Sequence, residues 1–286
     1  MRFLHNGCGP DREGEDAMTH QYKSARFDID GDGIARFTMC KPEILNPLTD
    51  DLRDDFEAMV NTVEGNPDVK VLILAGEGRA FSAGGNVKGM AERKDAQAAQ
   101  ARTRLYDAHN WLQRLYNIDC PVIAAVDGLA YGGGFAFALV ADFIFASEKA
   151  RFCSVFGRIG LMPDLGVLYT LPRVVGMAAA KDLMFTCRSI DVEEAKALGI
   201  VHQIHRSETL MGAVDDFAAR LAHSSKDAIA ITKRTVNGAF ESTYGDVVDA
   251  EANGQAVMFT TPFHKEAVRR FMAKEPSLYD WDRMTK

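Results

Sequence analysis

What the sequence lacks narrows its chemistry before any motif is read. The five cysteines, Cys8, Cys40, Cys120, Cys153 and Cys187, are odd in number and scattered, with no CxxC spacing. Disulfide frameworks and zinc knuckles need close pairs or repeated spacing, so reduced and mostly buried thiols are expected and a metal site is not. No run reaches the ~20 consecutive apolar residues of a membrane span. The longest apolar stretch, Leu129 to Ala146, is broken by Gly132-Gly133-Gly134 and by Asp142. Residues 1–17 carry Gly, Asp, Glu and Arg without an apolar segment, so they read as a poorly ordered extension rather than a signal peptide, with Met18 opening the fold. Positive charge is also scarce: 33 Lys+Arg against 40 Asp+Glu give −7 at pH 7. With no Lys/Arg run, a nucleic-acid partner is not expected, because phosphate backbones reward clustered cations. These absences together describe a cytoplasmic protein with no membrane partner.

What is present is an ordinary globular mixture, 286 residues with 47% hydrophobic and 26% charged. Two β-prone runs, Tyr22 to Ile29 and Ile34 to Met39, flank Asp30-Gly31-Asp32-Gly33 and predict a hairpin. Thr49-Asp50-Asp51 opens a helix through Leu52, Phe56, Met59 and Val60, and Val69 to Ala75 reads as a strand buried on both faces. The pattern recurs as a helix over Ala98 to Tyr116, strands at Val122 to Val126 and Phe143 to Ala146, a short helix over Gly134 to Val140 between them, and a short strand at Arg151 to Ser154. Such units without a long linker predict one α/β core. From Gly176 onward the chain reads as helices, ending with Val247 to Val257 and Phe263 to Ala273. We place the core at 18–200 and a helical C-terminal region at 201–286, either a small second domain or an assembly arm.

Two motifs are decoys. Asp28-x-Asp30-x-Asp32-Gly33 begins like a calcium loop, but its twelfth position is Met39, where a bidentate Glu is needed. Gly76-Glu77-Gly78 follows a strand, but Phe81 stands where GxGxxG requires its third glycine. The informative segments are Gly78 to Lys88 and Asp127 to Gly134, each at the carboxyl end of a buried strand. Two glycine-rich turns there can aim two N–H donors at one oxygen, the composition of an oxyanion hole; equally, they can be tight turns where helices pack close to strands.

Phe81-Ser-Ala-Gly-Gly-Asn86, Pro121 to Gly128, Tyr131-Gly-Gly-Gly134 with Ala141-Asp142, Ala150-Arg-Phe152, Ile159 to Gly166, Leu171 to Gly176 and Ala195 to Val201 resemble the enoyl-CoA hydratase/isomerase (crotonase) superfamily, in order from about Tyr22 to the C-terminus. The resemblance implies a ββα spiral core, a helical trimerisation region that also closes the pocket, and an acyl-CoA thioester substrate, with coenzyme A entering as part of the substrate and no separate cofactor. It implies a homotrimer or a dimer of trimers. By motif position the N–H groups of Gly85 and Gly133 resemble the pair that stabilises the thioester enolate.

The chain departs from the family pattern at the reacting end. The two positions where the family's hydratases carry glutamates are Ala136 and Phe156, and neither side chain can transfer a proton. Asp164, in Gly160-Leu-Met-Pro-Asp-Leu-Gly166, resembles an aspartate used by some family isomerases. A lone base suits double-bond isomerisation, and Phe156 is expected to form an apolar wall beside it. The competing reading is that Asp164 caps the following helix. Asp164 also matches the nucleophile of the family's 4-chlorobenzoyl-CoA dehalogenase, with His109 near the place of that enzyme's histidine base. His109 alternatively packs as a plain helix residue. For the CoA moiety, Lys41-Pro42 with Asn46, the Ala83 carbonyl, Asn86, Lys88, Arg93 and Lys274 are the candidate contacts, and Phe263 and Phe271 line the pocket or merely pack. Three outcomes follow: an Asp164-dependent isomerase; a dehalogenase- or hydrolase-type enzyme, or a hydratase with unusual acid–base groups; and a family member kept for binding or scaffolding.

Overall fold

A computed structural model describes residues 18–92 and 97–284; the N-terminal extension, Cys8 and Arg93, singled out above, lie outside them. The hairpin forms as β2 (Ala25–Ile29) against β3 (Ile34–Met39), with Ile29 opposite Ala35 and Ala25 opposite Met39. Its Asp-rich turn uses its own leading carboxylate: Asp30 accepts the N–H groups of Asp32 (3.1 Å) and Ile34 (2.9 Å) and pairs with Arg36 at 2.9 Å. An additional strand, β1 (Met18–Gln21), pairs with β2; its four residues are all exposed, so no alternation announced it.

The strands β4 (Val71–Gly76), β6 (Val122–Val126), β8 (Phe143–Ser147) and β11 (Gln203–His205) extend this hairpin in parallel, giving the order β1-β2-β3-β4-β6-β8-β11. A second sheet runs β10-β9-β7-β5, from β5 (Ala80–Ser82), β7 (Leu129–Tyr131), β9 (Arg151–Cys153) and β10 (Ile190–Asp191). Each of β4, β6 and β8 is thus followed by a strand that crosses to the small sheet, and then by helix. The helices are α1 (Asp50–Gly65), α2 (Val87–Glu92), α3 (Ala98–Tyr116), α4 (Gly133–Val140), α5 (Val167–Thr186), α6 (Val192–Ala197), α7 (Ser207–Leu221), α8 (Lys226–Asn237), α9 (Tyr244–Met258) and α10 (Pro262–Ala273). Three strand–strand–helix turns make the ββα spiral that the resemblance implied. The sequence shows no repeat because strands of three residues are too short to carry a hydrophobic period.

α1, α3 and α4 cover one face of the large sheet. There Phe56 lies 4.5 Å from Phe37, 5.2 Å from Trp111 and 4.7 Å from Phe137, ring centre to ring centre. The opposite face (Ile34, Val71, Ile73, Ile123, Phe145) is covered by Leu210, Val214 and Phe217 of α7.

The core therefore runs past residue 200, where we placed its end: β11 belongs to the large sheet and α7 to its cover. α8 is docked as well, because Lys233, only 6% exposed, reaches Asp142 at 2.7 Å and the Cys120 carbonyl at 3.1 Å. A buried cation at that depth is tolerated only with such partners. Beyond α10 the chain returns to the core, with Trp281 packed 5.0 Å from Phe217 and under the Arg220 guanidinium. What stands out from the core is α9, where only Gly254 is buried, and α10, where no residue is.

Candidate active site

The first half of the site is a backbone knot tied by two buried polar side chains. Asn46 adopts a left-handed φ of 50° and is 1% exposed. Its carboxamide accepts the Lys41 N–H (2.8 Å) and donates to the carbonyls of Glu77 (3.0 Å) and Ala80 (2.9 Å). The Ser82 hydroxyl donates to the Asn46 carbonyl at 2.7 Å and accepts the Gly84 N–H at 3.2 Å. Ala83 donates to the Leu45 carbonyl at 2.9 Å, and Leu48 donates to the Gly84 carbonyl at 2.7 Å. That last bond pairs Leu48 with Gly85 in parallel register, which turns the N–H of Gly85 itself to the opposite side of the segment.

The second glycine-rich turn packs against this segment at Gly84. A Cβ at Gly84, whose φ is +85°, would stand 2.4 Å from the Tyr131 carbonyl oxygen and 2.8 Å from the Gly133 nitrogen. Only glycine allows this backbone-on-backbone approach, and it lays Gly84, the neighbour of Gly85, against Gly133. Gly133 is the first residue of α4, where an amide has no intrahelical acceptor and the helix end favours negative charge.

The second half is the loop entering α5. Leu165 (φ 51°) and Gly166 (φ 85°) are both left-handed, which costs roughly 1–2 kcal/mol at a residue bearing a Cβ. The conformation seats Leu165 against the site, with its Cδ1 3.1 Å from where a Gly133 Cβ would be. Gly166 is the N-cap of α5 and no side chain caps that helix, so the capping alternative for Asp164 does not hold. The Asp164 carboxyl is half-buried, and burial pushes it above the ordinary carboxylate range against the opposing pull of Arg53 and His109. His109 lies on α3 three residues before Leu112, whose Cδ2 is 3.9 Å from the Cβ position of Gly166. His109 itself is exposed on α3, and its link to Asp164, far away in sequence, is the opposing charge just described.

Comparison with known proteins shows the family. Residues 30–282 match the family model for enoyl-CoA hydratase/isomerase. The chain belongs to the enoyl-CoA hydratase/isomerase family. A probable enoyl-CoA hydratase of Rhodobacter capsulatus is 31% identical over 89% of this chain and 97% of its own length. The 1,2-epoxyphenylacetyl-CoA isomerase of Escherichia coli is 30% identical over 85% of this chain and 93% of its own. A solved enoyl-CoA hydratase/isomerase from Cupriavidus metallidurans superposes with a TM-score of 0.86 at 33% identity, covering 91% of this chain and 97% of that one. Hydratases and isomerases both appear among the relatives.

Within this family frame, Ala136 is fully buried in α4, and Phe156 (8% exposed) lies in the Val155–Ile159 turn. The Phe156 ring comes within 3.9 Å of where a Gly132 Cβ would be, an apolar wall next to Gly133. Asn86 spends its side-chain oxygen on the Gly89 N–H at the start of α2 (3.1 Å). Lys88 is exposed on that helix. Lys274 closes α10 in a left-handed conformation, and no described contact joins it to the glycine turns. Phe263 is half-buried, and Phe271, expected to pack or line the pocket, is 81% exposed in the chain. Arg53 is the residue the sequence reading missed. On an amphipathic helix a lone Arg looks like any solvated cation, and only the fold carries its charge to Asp164.

Proposed function

We propose that this acyl-CoA enzyme shifts a double bond along the acyl chain, with Asp164 as its single acid–base group and the Gly85 and Gly133 N–H groups holding the thioester oxygen. The observation that carries the reading is a half-buried, raised Asp164 carboxyl on the loop whose next residue, Leu165, packs on Gly133, in a site whose positions 136 and 156 are Ala and Phe. In a 3-enoyl-CoA, the ionised Asp164 takes a proton from C2. The C2–H pair becomes the C1=C2 bond of a dienolate as the C1=O pair moves onto the thioester oxygen, which carries the negative charge against the two N–H groups. When the C3=C4 pair takes up a proton at C4, C1=O re-forms and the C1=C2 pair becomes C2=C3. Asp164 then delivers the same proton to C4. No water is consumed, and the Phe156 wall and raised pKa suit a base that must also serve as an acid.

Side-by-side assay of 3-hexenoyl-CoA, a dienoyl-CoA and crotonyl-CoA tests this. Migration is expected to exceed hydration, and equal crotonyl-CoA hydration by the wild type and Asp164→Ala would contradict it.

His109 supports a second reading, because its charge acts on Asp164. There the Asp164 carboxylate attacks an electrophilic acyl carbon and expels the leaving group. Water deprotonated by His109 then opens the aspartyl ester at its carbonyl. Single turnover in ¹⁸O water would label Asp164 on this route and leave it unlabelled on the first. A site kept only for binding or scaffolding predicts an acyl-CoA-dependent rise in melting temperature with no turnover of any of these substrates.

For assembly, the support is the pair of projecting helices, with Phe259 61%, Phe271 81% and Met272 76% exposed on or beside α9 and α10. We infer that a neighbouring copy covers them, in a trimer or a dimer of trimers, and Lys274 is then a CoA contact made within that assembly. Sedimentation equilibrium reads the stoichiometry.

A further inference from the structure

The Val155–Ile159 turn touches the site with its first residues and is tied down by a later one. Val155 Cγ1 lies 3.2 Å, and the Phe156 ring 3.9 Å, from where a Gly132 Cβ would be. The Gly132 N–H donates to the carbonyl of Cys153, two residues before the turn, at 2.9 Å. Gly132 is the N-cap of α4, at φ 52° and ψ −117°. These contacts therefore fix the residue immediately before the Gly133 donor.

The tie is one guanidinium. Arg158 donates to the Cys187 carbonyl from Nε at 3.1 Å and from Nη2 at 2.7 Å, and its Nη2 lies 3.6 Å from Cys153 Sγ. Cys153 Sγ donates to the same carbonyl at 3.1 Å, and burial, which pushes that thiol up, keeps its proton in place. Cys187 closes α5 in a left-handed conformation, φ 50°, where helix carbonyls lack intrahelical partners and a cation is favoured. Its Sγ stands 2.7 Å from where a Gly157 Cβ would be, so the turn is pressed onto the end of α5. Three donors meet on one carbonyl, and two of them come from an exposed residue that reads in sequence as a solvated cation.

We propose that Arg158 is a positioning residue of this enzyme: by pinning the turn to the end of α5 it holds Val155 and Phe156 against Gly132, and thereby fixes the Gly133 N–H that receives the thioester oxygen. The inference rests on the proposed role of Gly133 as a donor and not on the chemistry assigned to Asp164. A guanidinium suits the task, because its rigid fork holds one acceptor from two directions, whereas an ammonium is a single point on a flexible stem.

The test reads the hydrogen bond itself. Hexanoyl-CoA labelled with ¹³C at C1 is saturated, so it binds without turnover, and isotope-edited infrared difference spectroscopy follows its thioester C=O stretch. In the wild type the band is expected to move to lower wavenumber on binding. Arg158→Ala should lose about half of that shift, since one of two donors is displaced, with kcat for 3-hexenoyl-CoA down about tenfold and KM nearly unchanged. Arg158→Lys should recover part of both. A full shift and full kcat in Arg158→Ala would overturn the proposal, and so would a loss confined to melting temperature, the mark of a merely structural role. No shift in the wild type would remove Gly133 as a donor and the proposal with it. If the shifts behave as expected while Asp164→Asn leaves isomerisation intact, the chemistry assigned to Asp164 is wrong and the positioning role stands.

Discussion

Two segments meet at the site, and they are built in opposite ways. α4 is apolar and buried at all eight of its residues, and it contributes a backbone amide. The loop from Gly160 to Gly166 is exposed over its first three residues and partly or fully buried over the rest, carries left-handed backbone at three positions, and holds the Asp164 carboxyl. A buried helix fixes a donor well but makes an unpaired charge costly. A loop can hold a half-buried acid whose environment shifts its titration. On the proposed reading the proton-handling group is the carboxyl on this loop, and the oxygen-binding donors are N–H groups of rigid backbone.

The largest effect should come from removing the loop's contribution. Asp164→Asn is expected to lower turnover of a 3-enoyl-CoA by about 10²–10⁴, the range of a lost general acid–base group. Next comes the rigid side. Gly84→Ala forces a Cβ into the Tyr131 carbonyl and the Gly133 nitrogen, and should cost about 10²–10³ in kcat by displacing the donors. Gly133→Ala meets only the end of the flexible Leu165 side chain and should cost far less, so comparable losses in the two variants would blur the contrast between rigid and yielding sides.

Smaller effects read the electrostatics. Activity needs ionised Asp164, so it should fall as pH drops through a pKa raised above the ordinary 3.8. His109→Gln removes a cation that opposes the rise, so the acidic limb of its pH–rate profile should move to higher pH. The smallest effect is thermal. A raised carboxyl pKa means that the fold favours the protonated form, a contribution fully present below the unfolded value and lost as pH rises through the folded one. Asp164→Asn should therefore melt above the wild type at neutral pH, with the gap closing toward pH 3.8. A gap independent of pH would mean that burial does not set this titration.

Much of this was legible in the sequence where the signal was local and long. The hairpin, α1 and α3 follow from turn residues, a Thr cap and helical spacing, and α3 falls at Ala98–Tyr116 as expected. The strands β5, β7 and β10 were not legible, because two or three residues carry no period and are fixed by their neighbours in the small sheet. α5 reads as two pieces in sequence, with a helix from Met177 to Thr186, and the structure agrees: Gly176 (φ 78°, ψ 161°) is non-helical and kinks α5 into two. At the site, Gly85, Gly133 and Asp164 are marked by their motifs. The action of the Arg53 and His109 charges on Asp164 depends on how α1 and α3 pack, which no spacing in either helix records.

The central claim is that one carboxylate takes a proton from C2 and returns it to C4. Single turnover of 3-hexenoyl-CoA deuterated at both C2 positions, run in ordinary water, tests it most directly. The account predicts 2-hexenoyl-CoA with deuterium at C4 in part of the product from the wild type. Product bearing only solvent protons at C4, formed as fast by Asp164→Asn, would contradict it.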